Sequence, residues 1–472
     1  MESSGTNSPS WELLLPAAAA PARSRGRQLQ EALREAVRSG RLAAGTRLPA
    51  SRELAADLGV SRGLVTEAYE QLTAEGYLRS GRGAGTWVGD SARAAVRGAA
   101  RGTRDLAPHQ VDALVSFRPG TPDLSLFPRT AWAAAHTAVL NTLEHHALGY
   151  PDPRGLPQLR IALAALLTRR RGVVADPERI VVCSGVAQAM TLLGFVLNAA
   201  GRHTVGVEDP GSPEHATLFS AAGLRTTLLP LDDEGLAIGP LAASGVRTVQ
   251  TTPAHHFPSG IGYSAARRAE LLEWARSVDG LIVEDDYDGD FRYDRAPVGA
   301  LQGLDPERVA YTGSVSKSLA PGLRLGWLLA PGWLTDEIVA RKRTLDLGHP
   351  VIDQATLAAF ITGGGYDRRL RRCQRLYRER RDTLLAALAE HFPGTEVSGI
   401  AAGLHVIARL PERYGPESGF LRRAERSKVA VRPLSDYGSA RPQDGCVRLV
   451  LGYAHLAPSE IVRGVRLLAQ AN

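Results

Sequence analysis

Lys317 is the residue around which the chemistry of this sequence can be organised. It lies in the stretch GSVSKSLAPGLRLGW, residues 313–327, in a small, hydroxyl-rich segment with few charges nearby. The whole chain of 472 residues contains three lysines, and its other Lys or Arg positions are all arginine. A lysine amine can form a Schiff base with a carbonyl group. The sequence therefore indicates that the chemistry at position 317 requires a primary amine, which arginine does not have.

Other polar groups follow the ends of buried apolar runs, where binding residues of α/β proteins collect. The run GLIV is followed by the acidic and phenolic stretch 284–287, EDDY, and the run RIVVC by a small-residue turn that opens a helix. Such a helix start can hold a phosphate. An amine, a carboxylate, a phenol and a phosphate site together suit pyridoxal 5′-phosphate (PLP), whose pyridinium nitrogen pairs with a carboxylate.

Each of these features has a common structural explanation when it stands alone. A lysine after SxS is usually a surface residue, an acidic cluster at a strand end is often solvated or metal-binding, and a Gly-Ser turn usually caps a helix. Their occurrence in this order on one α/β pattern is what favours PLP. Adjacent side chains diverge at His255-His256, and no carboxylate partner is evident there, so we expect no metal site.

The pattern from Ser116 onward alternates short apolar strands with helices, which predicts an α/β domain with a mostly parallel sheet. The predicted strands cover residues 179–185, 203–210, 226–231, 247–253, 280–286, 309–314 and 325–331. The Arg-rich stretch 366–388 is interpreted as a long helix that joins large and small subdomains.

The N-terminal half has a different pattern. An amphipathic helix precedes a short helix from Ser51 to Leu58, a turn at Gly59, a helix from Ser61 to about residue 75 and two short strands with a Gly-rich turn. This order predicts a winged helix-turn-helix. Its recognition helix begins at Arg62, which is expected to reach a base edge in the major groove. Further candidate DNA contacts are Arg47, Arg52 and, at the wing tip, Arg82. The alternative is a structural module with solvated arginines.

Composition sets the remaining limits. The formal charge of +7 is compatible with a nucleic-acid partner without requiring one. Three scattered cysteines without a CxxC pair fit a reducing cytoplasm. No apolar run has the length of a membrane helix, and the N-terminal WELLLPAAAAPA lacks the basic start of a signal peptide. We therefore expect a cytoplasmic protein with no membrane partner.

Residues 40–88 resemble the DNA-binding domain of the GntR family of bacterial regulators almost end to end. That resemblance implies DNA contacts by Arg52, Ser61, Arg62 and the wing residue Gly81. The stretches YPDPRGLPQLRIAL, TPAHHFPSGIGYS, VEDDYDGDFRYDRAPVGALQGLD and YTGSVSKSLAPGLRLGWLLAP resemble the MocR/PdxR subgroup. In that subgroup a GntR domain is joined to a PLP-binding domain of the fold-type I aminotransferase type.

The second resemblance implies specific cofactor roles. Lys317 would be the Schiff-base lysine, Asp285 the partner of the pyridine nitrogen and Tyr287 the partner of the ring hydroxyl. The residues implied around the phosphate are Ser184, Gly185, Val186, Ser314, Ser316 and Arg324. His256 is a candidate contact to cofactor or effector, with a polar loop residue as the alternative. Arg448 and Arg432 are candidates for an effector carboxylate.

This chain departs from the subgroup after EDPG, where relatives often have an aromatic residue over the cofactor ring and this chain has Ser212. The expected organisation is a disordered segment 1–22, a DNA-binding domain 23–88, a linker 89–115 and a PLP domain 116–472, with a small subdomain from about 346. The expected function is a PLP-dependent transcriptional regulator that binds operator DNA, senses PLP or its imine with an amino compound, and forms a head-to-tail homodimer. A working aminotransferase that carries a DNA-binding domain is the alternative, because sensing and transamination need the same cofactor residues.

Overall fold

The computed structural model describes Pro21 and residues 23–81, 85–89, 113–293, 298–438 and 445–470. The contacts within the chain divide it into two units, Met1–His109 and Gln110–Asn472. Within these ranges no helix is both long enough and apolar enough to cross a bilayer. The two units are described separately below.

The first unit is a winged helix-turn-helix, as the sequence predicts. Its elements are α1 (Arg25–Arg38), α2 (Ser51–Leu58), α3 (Arg62–Ala74), β1 (Leu78–Gly81) and β2 (Gly85–Val88). Gly59 ends α2 at φ +62°, a left-handed conformation that glycine adopts without strain, so the chain can turn sharply into α3. Leu33, Val65 and Leu72 are fully buried between the three helices. The strands β1 and β2 pair antiparallel.

The second unit contains the remaining helices and strands. Its helices are α4 (Arg129–Thr142), α5 (Pro157–Arg171), α6 (Val186–Ala199), α7 (Pro213–Ala221), α8 (Ile238–Ala243), α9 (Ala265–Ser277), α10 (Gly332–Asp346), α11 (Val351–Thr362), α12 (Gly365–His391), α13 (Glu417–Arg426) and α14 (Pro458–Gln470). Its strands are β3 (Val115–Ser116), β4 (Ile180–Cys183), β5 (Thr204–Asp209), β6 (Arg225–Asp232), β7 (Gly235–Leu236), β8 (Thr248–Thr251), β9 (Leu281–Asp285), β10 (Val309–Ser314), β11 (Gly326–Leu329), β12 (Glu396–Ser398), β13 (His405–Leu410), β14 (Val429–Ala430), β15 (Arg432–Pro433) and β16 (Val447–Gly452).

An eight-stranded sheet forms the centre of this unit, in the order β4-β11-β10-β9-β8-β5-β6-β7. The five strands β10, β9, β8, β5 and β6 pair parallel, whereas β11 and β7 run antiparallel to their neighbours. Strands β4, β8, β9 and β11 are buried along their whole length. Such burial explains the continuous apolar runs of β4, of β11 and of the first three residues of β9. The predicted mostly parallel sheet is confirmed.

A second, antiparallel sheet of order β12-β13-β16-β15 lies in the C-terminal part of the unit. The 27-residue helix α12, predicted from the Arg-rich stretch, contacts α14. The prediction that the linker extends to residue 115 needs correction. Val115 belongs to β3, which pairs parallel with β14, because the amide of Leu114 donates to the carbonyl oxygen of Lys428 at 2.8 Å.

Candidate functional site

The carboxyl ends of β9 and β10 bring the candidate cofactor residues to one edge of the sheet. Asp285 ends β9, Ser314 ends β10, and Lys317 follows three residues later. They line a cavity of about 460 Å³. Its described lining residues are Pro119, Gly120, Thr121, Val186, Ala187, Ser212, Glu214, His215, Leu218, Thr252, Phe257, Asp285, Tyr287, Ser314, Ser316, Lys317, Arg324, Leu404, His405 and Tyr437.

Lys317 presents its amine inside this cavity. The Nζ atom donates to the carbonyl oxygen of Gly120 at 2.5 Å. Burial lowers the pKa of Lys317, although the carboxylates of Asp288, Asp285 and Glu214 partly oppose that shift. A lowered pKa increases the fraction of neutral amine, which is the nucleophilic form.

Asp285 is almost fully buried and pairs with a histidine that the sequence reasoning missed. His215 Nε2 lies 3.3 Å from Asp285 Oδ2, and the hydroxyl of Thr312 donates to Asp285 Oδ1 at 3.3 Å. Burial disfavours a charged His215, but the hydrogen bond and charge of Asp285 outweigh it and raise the pKa of His215. The available signal was the position of His215 in α7, directly after the carboxyl end of β5. The pair supplies a carboxylate held in place by an imidazole.

Tyr287 forms part of the cavity wall beside Asp285. Its Oη lies 3.1 Å from Nδ1 of His255, which is 2.8 Å from Oδ2 of Asp288. The ring of Phe257 stands edge-on to Tyr287, with centroids 6.1 Å apart. Burial raises the pKa of Tyr287 well above its usual value, so the phenol keeps its proton and can donate it to an acceptor in the cavity.

The other end of the cavity can hold a phosphate. Gly185 caps α6 with φ +85°, and a Cβ there would approach Nη2 of Arg324 to 3.0 Å. The same Nη2 donates to the carbonyl oxygen of Ser184. Helix α6 begins at Val186 without a side-chain cap, so its first turn offers amide donors and the positive end of the helix dipole. Ser314 and Ser316 add hydroxyl groups to the lining.

In the first unit, Arg62 begins α3 and is exposed, and the hydroxyl of Ser61 accepts from the amide of Leu64 at 3.3 Å. Arg47 lies with its guanidinium 6.0 Å from the ring centroid of Trp87. A groove is lined by Arg47, Arg62, Gly81 and neighbouring residues of α2, α3, β1 and β2. Arg52 is exposed in the first turn of α2 but does not line this groove. Arg82 lies outside the described residues.

Two family models match the chain: "Bacterial regulatory proteins, gntR family" over residues 25–88 and "Aminotransferase class I and II" over residues 120–467. The probable rhizopine catabolism regulatory protein MocR of Rhizobium meliloti is 34% identical over 465 residues, which cover 94% of this chain and 93% of that protein. The chain belongs to the MocR subfamily of GntR-type regulators.

Other relatives agree with this MocR assignment. The pyridoxine biosynthesis transcriptional regulator PdxR of Corynebacterium glutamicum is 35% identical over 382 residues, covering 80% of this chain and 82% of that protein. Among solved structures, the multiple substrate aminotransferase of Thermococcus profundus matches with a TM-score of 0.68 and 29% identity, covering 77% of this chain and 92% of that one. The predictions of a DNA-binding regulator and of a fold-type I domain are confirmed.

PLP is the cofactor that this MocR-type domain implies, and the cavity offers groups suited to each end of it. Lys317 lines this cavity together with Asp285, Val186 and Arg324, whereas Gly185, the N-cap residue before Val186, is not among the lining residues. A Cβ at Gly185 would crowd the guanidinium of Arg324, so glycine at this position lets that guanidinium reach the cavity lining. Ser184 contributes its carbonyl to that arginine, whereas its Oγ lies 3.4 Å from Nδ1 of His349 and does not line the cavity.

His256 does not occupy the position that the cofactor-contact prediction requires. Its ring is fully buried, with Nδ1 2.6 Å from the hydroxyl of Ser259 and Nε2 3.5 Å from Oε2 of Glu208. Burial lowers its pKa to about 3, so the ring is neutral. The amide of His256 donates to the carbonyl of Ile261, and His256 is not among the lining residues of the cavity. Phe257 and His405 line the cavity instead.

Neither arginine proposed for an effector carboxylate lines the cavity. Arg448 in β16 stands opposite Arg409 of β13, four residues along that strand from the cavity residue His405. Arg432 in β15 directs Nη1 to Oδ2 of Asp436 at 2.9 Å, and its side chain is 46% exposed. Neither arginine is therefore among the described lining residues of the cavity, and a carboxylate contact by either one stays a prediction.

Proposed function

We propose that this MocR-type regulator senses PLP, alone or joined to an amino compound, through Lys317 and converts that event into a change in operator binding. The observation that supports this proposal is the meeting of Lys317, the Asp285–His215 pair and Tyr287 with Arg324 and the start of α6 at Val186 in one cavity. When bound, PLP supplies an aldehyde that exchanges reversibly between primary amines. A ligand that binds the two conformations of a regulator unequally shifts their populations.

The residues of the cavity have separate tasks in this proposal. Lys317 would hold the cofactor covalently, and Asp285, which is paired with His215, would keep the ring nitrogen protonated. Tyr287 would donate a hydrogen bond to the ring oxygen. Arg324 and the first amides of α6 hold the phosphate. Since the two candidate carboxylate arginines lie outside the lining, sensing is favoured over turnover of amino acids.

For DNA, we propose that Arg62 reads a base edge in the major groove and that Arg47, Arg52 and Arg82 contact phosphates. Arg62 is exposed at the first position of α3, the end of a recognition helix that enters the groove. Ser61 and Gly81 complete this surface, as N-cap of α3 and as the last residue of β1.

The functional unit is proposed to be a head-to-tail homodimer in the cytoplasm. Leu148, Tyr150 and Leu347 are 60%, 89% and 51% exposed and line one surface groove of the second unit. Large apolar side chains that share an exposed patch are typical of protein interfaces. Sedimentation velocity should show a dimer at micromolar concentration, and a monomer alone would contradict this part.

The central experiment is a gel-shift titration of operator DNA with and without PLP. We expect PLP to change the operator affinity of the wild type and of Lys428→Ala, whose exposed lysine lies outside the cavity lining, but not that of Lys317→Ala. An equal PLP response in Lys317→Ala would refute sensing through this amine. Steady multiple turnovers with common amino donors and keto acids would support the aminotransferase alternative.

A further inference from the structure

The part of the cavity lining that is not assigned to the cofactor contains a carboxylate. Lys317, Asp285, Tyr287 and Arg324 are committed to the cofactor in the proposed function. The described lining residues that remain include Ser212, Leu218, Phe257, His405, Tyr437 and Glu214. Glu214 is the acidic residue in this remainder. The described lining contains no arginine besides Arg324.

Hydrogen bonding holds the carboxylate of Glu214 in place, and its surroundings favour the ionised form. It lies in the first turn of α7, and Oε2 accepts a hydrogen bond from the hydroxyl of Ser212 at 2.6 Å. Burial favours the neutral acid, but the hydrogen bond from Ser212 and nearby positive charges outweigh it and lower the pKa of Glu214. Its carboxylate is also within electrostatic reach of the amine of Lys317. The site of imine formation and this charge therefore belong to one cavity.

A ligand carboxylate would be poorly placed beside Glu214. It would meet the carboxylate of Glu214, and the nearby guanidinium of Arg432 is already engaged by Asp436 at 2.9 Å. Like charges in a partly desolvated site repel, whereas an ammonium group there gains a charge-assisted hydrogen bond. The cavity around Glu214 is thus complementary to a positively charged ligand group and selects against a negatively charged one.

We propose that the PLP-bound cavity recognises amines that carry a second positive charge, such as diamines, in preference to amino acids. This inference rests on the proposed function, since it names the amino compound that would be sensed. The ligand would react through one of its two amino groups in the neutral form: its nitrogen would replace that of Lys317 in the C=N bond to the cofactor carbon, and one of its two protons would pass to the lysine nitrogen, which leaves as a neutral amine. The second ammonium then faces Glu214.

The test uses the PLP-loaded full chain and three probes of similar length: cadaverine, δ-aminovalerate and pentylamine, which end in an ammonium, a carboxylate and a methyl group. Calorimetry and the visible band of bound PLP measure binding, and gel shifts measure the effect on operator affinity. We expect cadaverine to bind at least about tenfold more tightly than δ-aminovalerate. Glu214→Gln should remove most of this preference, and Glu214→Arg should reverse it.

Glu273→Gln is the matched control, because Glu273 is exposed in α9 and is not a cavity residue; its preference should equal that of the wild type. Equal or tighter binding of δ-aminovalerate by the wild type, or an unchanged preference in Glu214→Gln and Glu214→Arg, would overturn the inference. If no probe binds but PLP alone changes operator affinity, the inference fails and the proposed function stands. If PLP does not change operator affinity, the proposed function itself fails.

Discussion

Arg171 is the residue whose removal should most clearly disturb the loop that presents the cofactor groups. It ends α5 and is 4% exposed, and its Nε donates to Oδ2 of Asp286 at 2.6 Å while Nη2 lies 3.1 Å from Oδ1. Its Nη1 also donates to the carbonyl oxygens of Gly289 and Val298. Asp286 is the residue between Asp285 and Tyr287, so Arg171 positions both of them indirectly.

The expected magnitude follows from the burial of both partners. The side chains of Arg171 and Asp286 are 4% and 3% exposed, and breaking such a pair from one side costs about 3–5 kcal/mol because a charge is left buried without compensation. In Arg171→Met, Asp286 would keep the hydroxyl of Tyr311, which donates to Oδ2 at 2.6 Å. Because the hydroxyl of Tyr311 still stabilises the carboxylate of Asp286, we expect the loss of unfolding free energy to lie at the lower end of this range, at about 3 kcal/mol.

Urea denaturation of the variants would measure this loss of unfolding free energy. Titration with PLP would show whether the loop that contains Asp285 and Tyr287 still binds the cofactor. The matched control is Arg169→Met, since the Arg169 side chain is 58% exposed and its pair with Asp367 should contribute about 0–1 kcal/mol. The double variant Arg171→Met with Asp286→Asn should recover part of the loss, because no charge remains buried. If Arg171→Met lost no more stability than Arg169→Met, the argument from the buried pair would be wrong.

Three further predictions concern function and pH. Arg62→Ala should flatten the discrimination between operator and mutated operator in gel shifts, whereas Arg52→Ala should weaken both alike and lower the salt slope by about one. Purified wild type should be yellow, and Lys317→Ala should lose the visible band while its circular dichroism stays the same, since a loop side chain outside the packed core is removed. Burial raises the pKa of Glu208 from 4.5 to about 7. The wild type should therefore lose unfolding free energy relative to Glu208→Gln as the pH rises from 4.5 through 7, as pH-dependent denaturation curves would show.

The sequence was sufficient for the fold and for groups adjacent in the chain. Strands buried on both faces read as apolar runs, and polar residues that follow parallel strands must meet at one sheet edge. The acidic and phenolic stretch 284–287 and Lys317 were predicted in this way, because each follows a strand end, whereas the choice of Asp285 among the three carboxylates rested on the family resemblance. The start of α3 at Arg62 followed from the N-cap serine before it.

The remaining site residues depend on information that local patterns do not contain. The distance from Arg448 to the cavity is set by the register of β13 with β16, and a strand arginine looks the same in either register. His256 and Phe257 are neighbours in the chain, yet the turn closed by the amide of His256 leaves the ring of Phe257 on the cavity wall. Sequence alone does not decide which of two adjacent side chains a turn directs inward.

The rarity of lysine becomes a chemical argument once all three positions are located. Lys342 is fully buried in α10, and its Nζ is held by Asp346 at 2.6 Å. Lys428 is exposed between α13 and β14, away from the cavity lining. Of the three lysines, Lys317 is the one that the described cavity lining contains. An arginine there would stay charged at any physiological pH and could not supply a neutral primary amine. In a chain that uses arginine for nearly every other basic position, lysine is retained where the proposed imine requires it.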